Sequence, residues 1–72
     1  MAIEITAPMV GKIVNVLVQV GDSVCEDDPV IMLEAMKVEM PVVSPQDGTI
    51  ASIAVKAGDT VESGDLLMTI ED

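Results

Sequence analysis

Hydrophobic and polar positions alternate in short bursts along this chain, and each burst stops at a turn residue. "VNVLVQV" (residues 14–20) sets β-branched residues at every second position, and "IASIAVK" (50–56) repeats the pattern more weakly. A period of two predicts a strand over each stretch. Gly21-Asp22 and Gly58-Asp59 close these bursts and predict turns, with glycine supplying the positive φ that a tight turn needs. Gly64-Asp65 marks a further turn. Its counterpart is Asp27-Asp28, which predicts Asp27 in the same left-handed position, less comfortably than a glycine. Pro8, Pro29, Pro41 and Pro45 argue against helices and point to strand ends or edges. No segment predicts a helix. Short strands between such turns predict an all-β domain, a small sandwich or flattened barrel.

The bursts recur. Residues 7–34, "APMVGKIVNVLVQVGDSVCEDDPVIMLE", lie over residues 44–71, "SPQDGTIASIAVKAGDTVESGDLLMTIE", at an offset of 37. Pro8 meets Pro45, Gly11 meets Gly48, Ile13 meets Ile50 and Val18 meets Val55. Farther on, Gly21-Asp22 meets Gly58-Asp59, Val24 meets Val61, Asp28 meets Asp65 and Glu34 meets Glu71. Turn and core positions match together in one register. Two copies are too few for a solenoid and predict one domain, residues 1–72, with an internal pseudo-two-fold axis.

The repeat turns attention to the junction, "VIMLEAMKVEMPVV" (30–43). One apolar strand of that length is implausible, and a fold of two equal halves must reverse between them. The reversal is expected around Ala35–Val38. The Asn-Gly and Asp-Gly signals of a two-residue hairpin are missing there, so a type I turn, tolerant of most residues, is the expectation. Met36 and Lys37 at an exposed tip do little for stability. They make sense where something else reads or modifies the tip.

Composition narrows the chemistry. The net charge is −10, from 13 acids against 3 lysines, which lacks the basic footprint of a nucleic-acid binder and is unsuited to anionic membrane surfaces. The chain has no aromatic residue and no histidine, so it offers no stacking platform and no Ser-His or Cys-His nucleophilic pair. One cysteine rules out an internal disulfide, and a zinc site is not expected. Membrane insertion is not expected either, because no apolar run reaches spanning length; the expected location is the cytoplasm.

At the tip the residues match a known family. The chain resembles a biotinyl domain, the biotin carboxyl carrier module of biotin-dependent carboxylases and decarboxylases. The family's Glu-Ala-Met-Lys-Met motif stands here as Glu34-Ala35-Met36-Lys37-Val38, with one departure at Val38. "APMVG", "VGDSV", "SPQDGTI" and "AGDTV" extend the likeness over essentially the whole chain. The resemblance implies two small antiparallel four-stranded sheets facing each other, a barrel-sandwich hybrid with the lysine on a protruding hairpin. It implies biotin as cofactor, joined by an amide bond to Lys37 by a biotin protein ligase that reads Glu34, Ala35, Met36 and Val38. It further implies transfer of a carboxyl group between a biotin carboxylase and a carboxyltransferase or decarboxylase, so that the protein is a carrier and not itself an enzyme. Some biotinyl domains carry a "thumb" before the Gly-Asp turn; the ungapped match between the two copies predicts none here. Val38 keeps an apolar neighbour beside the lysine.

The other polar residues have plainer readings. Lys12 and Lys56 suit surface charge. Glu34 and Glu39 could suggest acid–base work, but Glu34 recurs as Glu71, which fits a structural or solubility role. Met40 is expected in the core and Met36 outside it. Cys25, among Glu26, Asp27 and Asp28, lacks the positive neighbourhood of a reactive thiol. Two rivals share the fold. A lipoyl carrier typically has Asp before the lysine, where this chain has Met36. An unmodified adaptor barrel has the turns without a lysine motif.

Overall fold

The computed structural model describes residues 2–72. Eight strands follow one another: β1 (Ala2–Thr6), β2 (Gly11–Val16), β3 (Ser23–Val24), β4 (Pro29–Ala35), β5 (Val38–Val43), β6 (Gly48–Ile53), β7 (Thr60–Val61) and β8 (Leu66–Glu71). They form two antiparallel four-stranded sheets in the orders β1-β8-β6-β3 and β5-β4-β2-β7. We call the first the end sheet and the second, which carries the chain reversal between β4 and β5, the tip sheet. The offset of 37 maps β2 onto β6 and β3 onto β7 residue for residue, so the pseudo-two-fold exchanges the sheets. Each sheet takes two strands from each half. Neither half can complete a sheet alone.

The core lies between the sheets and is aliphatic. Ile13, Ile31, Leu33, Ile50, Leu67, Met68 and Ile70 are fully buried, with Ile5, Val24, Val30, Val42 and Val61 around them. Most belong to two-fold pairs, such as Ile13 with Ile50 and Leu33 with Ile70. Met40 packs against this cluster from its edge, as its position in the repeat required.

The turns obey the same symmetry. The Ala7 N–H donates to the Asp65 carbonyl at 2.8 Å, and the Ser44 N–H to the Asp28 carbonyl at 2.8 Å. The Gly58 N–H reaches the Ile13 carbonyl, and the Gly21 N–H the Ile50 carbonyl, each at 2.8 Å. Four carboxylates close these turns. Asp22 accepts from the Gln19 N–H at 2.9 Å and Asp59 from the Lys56 N–H at 3.0 Å. Asp28 accepts from the Cys25 N–H and Asp65 from the Glu62 N–H, both at 2.9 Å. Part of the acidity read as surface charge is therefore turn chemistry, in which Asp satisfies a backbone donor a few residues away. Asp27 sits at φ 73, matching Gly64 at φ 88, the left-handed position expected of it.

Two strand assignments need correction. The alternation over residues 14–20 continues past β2, which ends at Val16, and that over 50–56 continues past β6, which ends at Ile53. The chain leaves the sheet there to cross toward the other one. Val18 and Val55 still pack against the core, so the period-two pattern outlasts the ladder that usually causes it. The connections 17–22 and 54–59 are equal in length, and no thumb interrupts either.

Candidate functional site

The two halves meet in the β4–β5 hairpin. Glu34 pairs with Glu39 and Ala35 with Val38, leaving Met36 and Lys37 as a two-residue turn. The reversal falls where the repeat placed it, but its type differs from the expectation. Met36 has φ 53 and Lys37 φ 65. Positive φ at both central residues is the signature of a type I′ turn, whose twist matches that of the flanking strands where a type I turn would splay them. The hairpin's geometry selected the turn, overriding the residues' preference. A left-handed non-glycine residue costs about 1–2 kcal/mol, so the tip holds backbone strain at two successive positions. Nothing in the local residues signals it.

Strain of this kind persists only where the surroundings impose it, and they do. Ala35 is buried, 4% exposed, which pins one end of the turn to the sheet. Beneath it β2 approaches β4 closely. A Cβ on Gly11 would lie 2.5 Å from the Glu34 carbonyl oxygen and 3.1 Å from Leu33 Cδ1. Glycine at position 11 lets the two backbones come together under the hairpin. Beyond this base everything is open. Met36 is 89% exposed and Val38 58%, and Lys37 is exposed, with no hydrogen bond or ion pair among the described residues. The amine therefore stands free at the end of a two-stranded arm, flanked by two apolar side chains.

Charges gather below the tip. Glu34 is paired with Glu39 on one side and Lys12 on the other. Like charges directly opposite in a sheet are destabilising, and the lysine offsets part of that. These residues, with Val14 and Gly58, line a shallow hollow of about 430 Å³ that is open to solvent. Both glutamates are exposed, which suits a face that meets solvent or a partner better than one that encloses a substrate. Cys25 is exposed and free, its N–H held by Asp28. Among the described residues there is no cluster of potential metal ligands, and no helix is long and apolar enough to cross a membrane.

Of the five tip residues singled out in the sequence, four present side chains to solvent: Glu34, Met36, Lys37 and Val38. Ala35 points inward. Two interlocked four-stranded sheets with an exposed lysine on a strained two-residue hairpin define the class of domain. The chain belongs to the biotin–lipoyl family described as "biotin-requiring enzyme", whose model matches residues 3–70. It is 52% identical over 64 residues to a biotin carboxyl carrier protein of Streptococcus mutans, covering 89% of this chain and 49% of that protein, so it spans about half of that relative's length. Among solved structures it resembles the Kluyveromyces lactis urea carboxylase, with a TM-score of 0.93 and 38% identity over 99% of this chain and 6% of that one. It also resembles the lipoyl domain of the Azotobacter vinelandii 2-oxoglutarate dehydrogenase complex, with a TM-score of 0.82 and 34% identity over 97% of this chain and 96% of that domain.

Proposed function

We propose that residues 1–72 form a single biotin carboxyl carrier domain and that Lys37 is its point of biotin attachment. The observation that carries this reading is the isolated, solvent-directed amine of Lys37 on the strained β4–β5 turn, within the sequence Glu34-Ala35-Met36-Lys37-Val38. An attacking amine must shed its proton and reach an activated acyl group inside another enzyme. A side chain without partners on a narrow arm can enter such a site at no cost in broken bonds. A biotin protein ligase would meet Met36 and Val38 as apolar flanks and Glu34 as a charge at the base. Ala35, being buried, would act by holding the hairpin's shape.

Bound biotin would supply a ureido nitrogen able to carry a carboxyl group. The protein's own part is to hold the attachment point rigid and exposed, and to move as a unit. The domain would serve a biotin carboxylase and then a carboxyltransferase or decarboxylase, in the cytoplasm. Tethering substitutes a high local concentration for bulk diffusion at both. The likeness to carrier and carboxylase sequences supports biotin. The likeness to a lipoyl domain supports the shared fold, and Met36, in place of the acid typical before a lipoyl lysine, favours biotin over lipoate.

The test is the intact mass of the chain after co-expression with a biotin protein ligase, followed by peptide mapping. One biotinyl group on Lys37, absent from Lys37→Arg, is expected. Modification by a lipoate ligase alone would move the protein to the lipoyl carriers. Biotin on Lys12 or Lys56 would remove Lys37 from the site.

A further inference from the structure

The pseudo-two-fold supplies an internal control for surface residues. The two sheets share their core, turns and register, so folding asks the same of their outer faces. Those faces differ. On the end sheet Ser52 and Thr69 turn outward with their hydroxyls 2.7 Å apart, and β1 adds Glu4 and Thr6, both exposed. The two-fold counterparts on the tip sheet are Asn15, Met32, Pro41 and Val43. Asn15, Met32 and Pro41 form one row across β2, β4 and β5. Beside that row Val14 stands where the end sheet has Ala51, and Leu17 where it has Ala54. Val14, Leu17 and Val43 are 37%, 43% and 39% exposed. Since the end sheet folds with small or polar residues at these places, the fold does not require the apolar ones.

We propose that the outer face of the tip sheet is the surface by which the domain docks on biotin carboxylase. This rests on Lys37 being the biotin site, because the β4–β5 hairpin that carries Lys37 also carries Met32, Pro41 and Val43. The face is thus continuous with the arm that must enter the partner. Its rim holds Glu34 and Glu39 with Lys12 opposite Glu34, two acids against one lysine, and the chain carries −10 overall. That charge selects a partner with a basic rim around an apolar centre and repels a second copy of this chain. Pro41, lacking an N–H within edge strand β5, also blunts edge-to-edge pairing of copies.

The test grafts the end sheet's residues onto the tip sheet, as Val14→Ala/Met32→Thr/Val43→Thr. The control makes the reverse exchange, Ser52→Asn/Thr69→Met. Each biotinylated protein is offered as substrate to the biotin carboxylase subunit of its parent complex. The tip-sheet variant is expected to load biotin fully and keep its kcat, while its KM rises at least tenfold; the control is expected to match wild type. A fully loaded tip-sheet variant with unchanged KM overturns the docking face and leaves the Lys37 reading standing. Failure of the wild-type chain to load at Lys37 brings down both. A wild-type dimer seen in sedimentation and abolished by the tip-sheet exchange would also overturn the proposal, since the face would then be a contact between copies.

Discussion

Replacing Met36-Lys37 by Asn-Gly is expected to stabilise the domain while destroying its proposed site. The two native residues hold φ 53 and 65, at about 1–2 kcal/mol each. Asn-Gly is the pair that a turn with two positive φ values prefers. Glycine's extra freedom in the unfolded chain returns about 0.5–1 kcal/mol of that relief. No lost contact enters the balance, because Met36 is 89% exposed and Lys37 has no bonded partner among the described residues. The net gain is roughly 1–3 kcal/mol, and in a domain of this size each kcal/mol moves the midpoint by about 4–8 °C. Urea and thermal unfolding beside the wild type measure it. Met36→Asn alone, which keeps the lysine, should capture part of the gain. A midpoint that stays the same or falls in the double variant would refute the idea that the tip is strained and that its residues were chosen against stability.

Other consequences are more local. Lys37→Arg should abolish biotinylation by mass spectrometry and leave unfolding within about 0.5 kcal/mol of wild type, as for exposed positions generally; a large loss of stability would make Lys37 a structural residue. Gly11→Ala should cost about 2–3 kcal/mol through overpacking, since its Cβ would meet the Glu34 carbonyl at 2.5 Å, and a wild-type midpoint in urea would mean the strands part without penalty. Gly58→Val should also destabilise, but for a different reason: no atom lies within 4 Å of its Cβ position, and the cost comes from φ 97 alone. Calorimetry that showed no shift would remove that turn's need for glycine. Asp22→Ala and Asp59→Ala should each lose about 0.5–1.5 kcal/mol, the worth of one hydrogen bond. The two losses should match and add, because the bonds are two-fold equivalents in separate turns; unequal losses in urea titration would show that the symmetry of contacts is not one of energies.

The repeat made the fold legible. Two matching copies of turn and core residues gave the all-β class, the pseudo-two-fold and the position of the hairpin. They also gave the left-handed place of Asp27 and the inward place of Met40. Alternation failed where the chain leaves a sheet, after Val16 and Ile53, because a side chain can keep facing the core after its backbone has stopped pairing. The candidate site was legible as a motif, Glu34 to Val38, but the geometry of the hairpin that carries it was not. Ala35 looks like one more flanking residue and is in fact the anchor that fixes the arm.

By itself the sequence determined that the core is aliphatic and where the chain turns, since composition and turn preference are properties of single residues and short spacings. Tertiary structure alone decided that each sheet draws on both halves, because strand pairing joins residues far apart in the chain. It decided the handedness of the tip, where twisted strands dictate a turn that Met36 and Lys37 would not choose. It also decided that Asn15, Met32 and Pro41 come together on one outer face. Their spacing along the chain carries no sign of it, and only the register of β2, β4 and β5 brings them side by side.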